Sequence, residues 1–226
     1  NPINGYIDVF TFFTVVGAFA SLSSDGSVVT WGDFKNGGDS GFVESGLDGT
    51  IDVKQVFSTG TTFVALRADG SIVNWGNDIL AFSEEDVRNG AQIFSTSTAF
   101  AILRVDGSVV TGGEDAFGGD SSAVYIQLNG NVDVTQICSN NGAFAALRTD
   151  GSVVTWGDYT YGGDSNNVAN QLNGNIDITR IFSTEYGAFA ALRADGAVVT
   201  WGDSFFGGDS RAVYNQLNGS IDFTQI

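Results

Sequence analysis

The sequence has no histidine and no methionine, and it has one cysteine and one proline. Without histidine the commonest general base and the commonest metal ligand are both missing. A single cysteine, Cys138, excludes an intramolecular disulfide. The lack of even a first methionine implies a processed or cut chain whose targeting peptide is gone, and favours a secreted or organellar location over a nuclear one. Basic residues are also scarce, 9 against 26 acidic ones, for a formal net charge of −17. Such a surface repels phosphate backbones and anionic headgroups, so nucleic acid is excluded as a partner. A protein with a cationic or apolar docking surface fits better, and the plain alternative is that the charge serves solubility. No apolar run reaches the roughly 18–20 residues of a membrane helix. The run over 9–19 is short and aligns with a repeat strand.

What the chain does have is repetition. Asp-Gly pairs fall at Asp25, Asp69, Asp106, Asp150 and Asp195, spaced 44, 37, 44 and 45 residues apart. A Trp-Gly pair follows in four copies, at Trp31, Trp75, Trp156 and Trp201, and Gly112 stands at that place in the third. Periods of about 40–50 residues point to propeller blades or helical arrays. The wealth of Val, Ile, Phe and Thr favours strands. Glycines at fixed places in the repeat argue against low-complexity disorder.

Each unit reads in one order. An apolar strand such as IDITRIFST (176–184) leads; its third-unit copy is shortened to AQIFST (91–96). AFAALR (188–193) follows, apolar on both parities, as a strand covered on both faces reads. Asp-Gly supplies a tight turn. VVTW closes the hairpin. A variable triplet and Gly-Gly-Asp-Ser come next, where Asp39, Asp120, Asp164, Asp209 or Ser210 can cap a helical turn. The pairs Val43/Leu47, Val124/Leu128, Val168/Leu172 and Val213/Leu217 lie at i, i+4, on one face of that turn. Gly130, Gly174 and Gly219 end it.

Such a unit cannot bury its own sheet faces, so neighbours must. The fold class expected is all-β: a β-propeller of five units, each blade about 44 residues with a short helical turn. One repeat-array domain spans 1–226, with units near 7–50, 51–90, 91–131, 132–175 and 176–220 and a further first strand at 221–226. Either that last strand pairs with the first blade or the array is a piece of a longer one.

These residues resemble the repeat of the regulator of chromosome condensation family, in its bacterial and algal form. Ala191, Leu192, Asp195, Gly196, Trp201, Gly202 and Gly207 match its pattern, as do Ala146, Leu147, Asp150, Gly151, Trp156, Gly157 and Gly162. Ala65, Leu66, Asp69, Gly70, Trp75 and Gly76 match its first part. The resemblance implies a propeller, usually of seven blades. The family's His-Ser at the start of the second strand is replaced here by Ala188-Phe189. Its members serve in nucleotide exchange on a small GTPase, chromatin binding, ubiquitin ligation, photoreception through clustered Trp and β-lactamase inhibition, and a shared fold transfers none of these. Four Trp, one to a blade, read as structural.

Candidate chemistry is sparse. Asp33, Asp158 and Asp203, each with a second Asp six residues on, could offer oxygens to calcium, but capping is the plainer reading. Arg67, Arg104, Arg148 and Arg193 recur beside the turn Asp and suggest ion pairs between blades. Cys138 aligns with Phe57, Phe94 and Phe182 and reads as core. No nucleophile–base pair is present, so no enzyme, cofactor or metal is expected. The partner-binding candidates are aromatics of the variable triplets, Phe34, Phe117, Tyr159, Tyr161, Phe205 and Phe206, with Ile79, Leu80 and Phe82 of the divergent second unit. The alternative for the triplets is packing against neighbouring blades. The reading is a non-enzymatic protein-interaction propeller, a scaffold or accessory subunit of a larger assembly; the other is a secreted or cell-surface adhesin segment that binds glycans.

Overall fold

A computed structural model describes residues 9–77 and 92–220. Among the described residues, fifteen strands form five separate three-stranded antiparallel sheets, the blades of a β-propeller fold. Blade 1 holds β1 (Val9–Val15), β2 (Ala18–Ser23) and β3 (Val28–Gly32). Blade 2 holds β4 (Val53–Ser58), β5 (Thr62–Arg67) and β6 (Ile72–Gly76). Blade 3 holds β7 (Gln92–Ser95), β8 (Ala99–Leu103) and β9 (Val109–Gly113). Blade 4 holds β10 (Val134–Ser139), β11 (Ala143–Arg148) and β12 (Val153–Gly157). Blade 5 holds β13 (Ile178–Ser183), β14 (Ala188–Arg193) and β15 (Val198–Gly202). By their packing, 1–91 and 92–226 are two compact units. The expected strand at 221–226 and the divergent segment after Asn77 lie outside the described residues. Among the described residues no helix is long and apolar enough to cross a membrane.

Each hairpin shows why Asp-Gly is used. In blade 4 the Gly151 N–H donates to the Arg148 carbonyl at 3.0 Å, and the Arg148 N–H donates to the Ser152 carbonyl at 2.9 Å. This is a three-residue loop closed by a residue with positive φ, and Gly151 sits at +74°. The Asp150 carboxylate accepts from both the Ser152 N–H (3.1 Å) and its hydroxyl (2.6 Å), which locks the turn. The recurrent Arg is spent here too. Arg148 reaches Asp150 at 3.3 Å and Arg193 reaches Asp195 at 2.7 Å. These two pairs lie each within its own hairpin, where bridges between blades were expected. A side chain two residues from its partner meets it before it can span a blade spacing.

The middle strand is buried on both faces, as its double apolar parity requires: every residue from Ala143 to Leu147 is buried. Its two faces serve two different neighbours. Ala143, Ala145 and Leu147 pack with Leu172 against Ile178, Ile181, Phe189 and Trp201 of blade 5. Phe144 and Ala146 pack with Trp156 against Ala99, Ala101 and Leu128 of blade 3. Small alanines on one face let the bulky Phe and Trp of the next blade seat closely. Blade 1 meets blade 2 in the same way, through Ala18, Ala20 and Leu47 against Val56, Phe63 and Trp75.

The i, i+4 pair after Gly-Gly-Asp-Ser falls on two consecutive turns rather than one. In blades 1, 3 and 5 a 3₁₀ turn ends at the Val, and one α-turn then runs to the Leu. In blade 4 a single 3₁₀ helix covers Asn166–Gln171. Leu47, Leu128 and Leu172 are buried by this device. The segment is pinned to its own blade by a hydroxyl pair: Thr30 to Ser40, Thr111 to Ser121, Thr155 to Ser165 and Thr200 to Ser210, at 2.8–3.0 Å.

Candidate protein-interaction surface

The variable triplets form one tight turn after the third strand of their blade. In blades 1, 4 and 5 an aspartate caps it. Asp33 accepts from the Lys35 N–H at 2.8 Å, Asp158 from the Thr160 N–H at 2.7 Å and Asp203 from the Phe205 N–H at 2.7 Å. A second backbone bond closes each turn, from the N–H of Gly38, Gly163 and Gly208 to the carbonyl of the same Asp. The second aspartate caps the next turn. Asp39, Asp120, Asp164 and Asp209 accept from the N–H two residues on, at 2.7–3.0 Å. The two carboxylates of a blade therefore serve different turns. Asp209 also takes the Arg211 guanidinium, and this hydrogen bond, with that of the Arg211 N–H, holds its carboxyl down at about 2.

Pinning divides each triplet. Its first two residues project. Phe34 is 69% exposed, Tyr159 76% and Phe205 93%. The third residue turns back. The Tyr161 carbonyl accepts from Asn140 Nδ2 at 2.8 Å, and the Phe117 carbonyl from Thr96 Oγ1 at 3.1 Å. The Phe117 and Tyr161 rings lie 6.5 Å apart, each half-buried against a blade junction. Phe206 is intermediate between the two sorts, exposed but leaning on Tyr186 at 5.4 Å. Ile79, Leu80 and Phe82 lie outside the described residues.

Two exposed groups were not singled out from the sequence. Phe42, Tyr125 and Tyr214 stand on the second turn of their blades. Tyr125 directly follows the inward Val124, so the i, i+4 stripe already sends it outward, and Tyr214 holds the same place in its repeat. In blade 1, Phe12, Phe19, Val29 and Trp31 form an exposed apolar sheet face. Within residues 92–226, Tyr159, Asp164, Trp201, Asp209 and Tyr214 border a shallow groove of about 590 Å³ between blades 4 and 5.

No family model matches the sequence, and no curated protein matches it. Solved structures do. The CRINKLY WD40 ectodomain of the receptor kinase ACR4 from Arabidopsis thaliana is similar at TM-score 0.53 and 12% identity, over 89% of this chain and 66% of that one. Human WBSCR16 is similar at TM-score 0.51 and 16% identity, over 93% and 67%. Prp20p from Saccharomyces cerevisiae, whose structure is described with its binding to Gsp1p and histones, is similar at TM-score 0.51 and 18% identity, over 86% and 57%. The chain thus spans about two thirds or less of the length of these structures. At such identities the likeness shows the fold alone: repeated blades of the propeller kind.

Proposed function

We propose that this chain is a non-enzymatic interaction propeller of the regulator of chromosome condensation type, a scaffold or accessory subunit that docks a partner protein. The observation that carries the reading is the pinned turn with its outward aromatic, at Phe34, Tyr159 and Phe205. An exposed aromatic on a rigid turn loses little entropy on binding and fills a pocket well. The surrounding charge of −17 selects a partner whose docking surface is cationic around an apolar centre. Prp20p, with its binding to Gsp1p and histones, is an instance of this fold used on proteins.

The test is to isolate the protein from its own source by size-exclusion chromatography with light scattering, and to identify its cross-linked neighbour. The purified neighbour is then titrated against the chain and against a variant with Phe34, Tyr159 and Phe205 all changed to Ser. Each hot-spot aromatic contributes about 2 kcal/mol or more, so the variant should bind at least roughly 30-fold more weakly and keep its circular dichroism. Unchanged affinity would remove these turns from the interface. The groove beside Tyr159 supports a second reading, glycan binding, because tyrosine faces with carboxylates at hand suit sugar stacking. Saturable sugar binding lost in Tyr159→Ala would favour it.

A further inference from the structure

The third strand of each sheet is an edge, paired on one side only. In blade 4 that edge is β12, and the chain returns along part of it. The Val153 N–H donates away from the sheet to the Leu172 carbonyl at 2.9 Å, and Ser152 bridges Asn173 beside it. At the other end Gly163 lies so near that a Cβ on it would sit 2.3 Å from the Gly157 carbonyl oxygen. Backbone groups alternate in direction along a strand, so the rung between these two closures belongs to Thr155. Among the described residues its N–H and C=O meet no backbone partner on that side. Its hydroxyl is engaged by Ser165 at 3.0 Å.

Thr155 lines a groove of about 690 Å³ between blades 3 and 4, inside the unit 92–226. Blade 3 contributes Asp115 and Asp120 to it and blade 4 contributes Asp164. None of the three is in an ion pair among the described residues. The one cation in the groove, Arg148, is committed to Asp150 at 3.3 Å. Asp120 and Asp164 are fixed in place by the N–H of Ser122 and of Asn166, at 2.7 and 2.8 Å. The groove between blades 4 and 5 is the same place one repeat on, and it differs. There Tyr159, Arg211 and Tyr214 stand where the first groove has Asp115, Asn166 and Ala169, and the volume is about 590 Å³. Arg211 also neutralises Asp209. The groove between blades 3 and 4 is therefore the wider and the more acidic of the two.

We propose that this groove docks an extended, lysine- or arginine-bearing segment of a partner protein by adding it to the Thr155 rung. The segment supplies one N–H and one C=O to Thr155, and its cationic side chains lie against Asp115, Asp120 and Asp164. Charge complementarity selects this occupant. Three carboxylates without a cation refuse an anionic ligand and favour a cationic one, and an open backbone rung calls for a peptide. The inference rests on the interaction reading above in expecting a protein partner, but its surface is separate. None of Phe34, Tyr159 or Phe205 lines this groove.

The test titrates fluorescein-labelled, amidated Lys-Val-Lys-Val-Lys against the protein by fluorescence anisotropy. Saturable 1:1 binding that weakens with salt is expected, and none by Glu-Val-Glu-Val-Glu. A chain of charge −17 attracts any basic peptide diffusely, so two comparisons isolate the groove. Asp120→Asn with Asp164→Asn should weaken binding about tenfold. Asp39→Asn with Asp48→Asn removes the same charge from blade 1 and should change it by less than about twofold. Asparagine keeps a cap, and Asn129 and Asn173 already hold the place of Asp48, so unchanged circular dichroism is expected of both doubles. The second comparison uses peptides N-methylated at every lysine or at every valine. In an extended chain these two sets of N–H point to opposite sides, so one of the two peptides loses its donor to Thr155 and should bind about fivefold more weakly or worse. Equal weakening by the two doubles overturns the proposal. So does full binding by both methylated peptides, or the absence of saturable binding. Such a failure leaves the reading of the aromatic turns standing, because no part of this test touches them.

Discussion

Gly118 and Gly207 occupy the same place in their repeats and differ in one respect, which makes them a matched pair. Both have positive φ, +97° and +109°. Replacing either by Ala puts a Cβ into left-handed backbone, at a cost of about 1–2 kcal/mol. At Gly207 that is the whole cost, because the space beside it is open. At Gly118 the new Cβ also falls 2.7 Å from Phe144 Cδ2, 2.8 Å from its Cε2 and 3.3 Å from Trp156 Cδ1. Phe144 is fully buried and stacked on Trp156, so the ring has nowhere to retreat. Overpacking of this kind costs about 1–3 kcal/mol more. Gly118→Ala should therefore destabilise by about 2–5 kcal/mol and Gly207→Ala by about 1–2. The assay is urea unfolding followed by circular dichroism. Midpoints are compared through a common slope. Equal losses at the two sites would refute the reasoning, since they would show that the ring does not seat against Gly118.

Trp156→Phe should cost about 1–3 kcal/mol, because it leaves the buried Gly118 carbonyl without its donor, whereas Trp31→Phe on the open face should stay within about 0.5 kcal/mol; similar losses at both sites in the same urea assay would contradict this. Asp209 should titrate near 2 when followed by its carboxyl carbon resonance, and Arg211→Ala should bring it back towards 3.8. Because its folded value is lowered, its contribution to stability is present above the unfolded value and is lost as pH falls through about 2. Burial pushes the Cys138 thiol up, and its Sγ donates to the Ile181 carbonyl at 3.2 Å, so a disulfide reagent should label it slowly in the native protein and fast in urea. Equal rates in both states would place it outside the core.

Repetition made much of this legible. Five aligned copies set the strands, the hairpins and the caps in register, and the parity of AFAALR announced a strand with neighbours on both sides. Local chemistry was also readable: the carboxylates of Asp33 and Asp39 each bond to a backbone N–H two residues on, and such short-range pairing is visible in the letters. What was not legible acts at a distance of one repeat. The Trp75 indole finds its acceptor 38 residues back, at Gly37. Nothing in WGDFKNGGDS says that the second Gly-bearing turn is a lid for a later ring. Blade 1 has Phe19 and Trp31 in the same letters as blades 4 and 5, yet Trp31 is 42% exposed where Trp156 and Trp201 are 4%, a difference that its own repeat does not announce. Within the triplets, the sequence does not separate Tyr159, which projects, from Tyr161, which turns inward, because the division is made by the direction in which the capped turn closes.

Between blades 1 and 2, 3 and 4, and 4 and 5, a stacked Trp and the Gly-Gly turn of the repeat before it are two halves of one contact. A Trp without its turn leaves an indole N–H and a large apolar face uncovered, as Trp31 shows. The turn at Gly207 keeps its positive φ with open space beside it. In the second repeat the Gly-Gly-Asp-Ser segment is missing, and in the third the Trp position holds Gly112. The second repeat also has Asn74 where the others have the Thr that pins Gly-Gly-Asp-Ser to its own strand. Within the second repeat two of these departures go together: the Thr that elsewhere holds the Ser is absent along with that Ser. Among the described residues, the search for a binding surface is directed to Phe34, Tyr159 and Phe205, where the supporting turn is complete and the aromatic is still left outside.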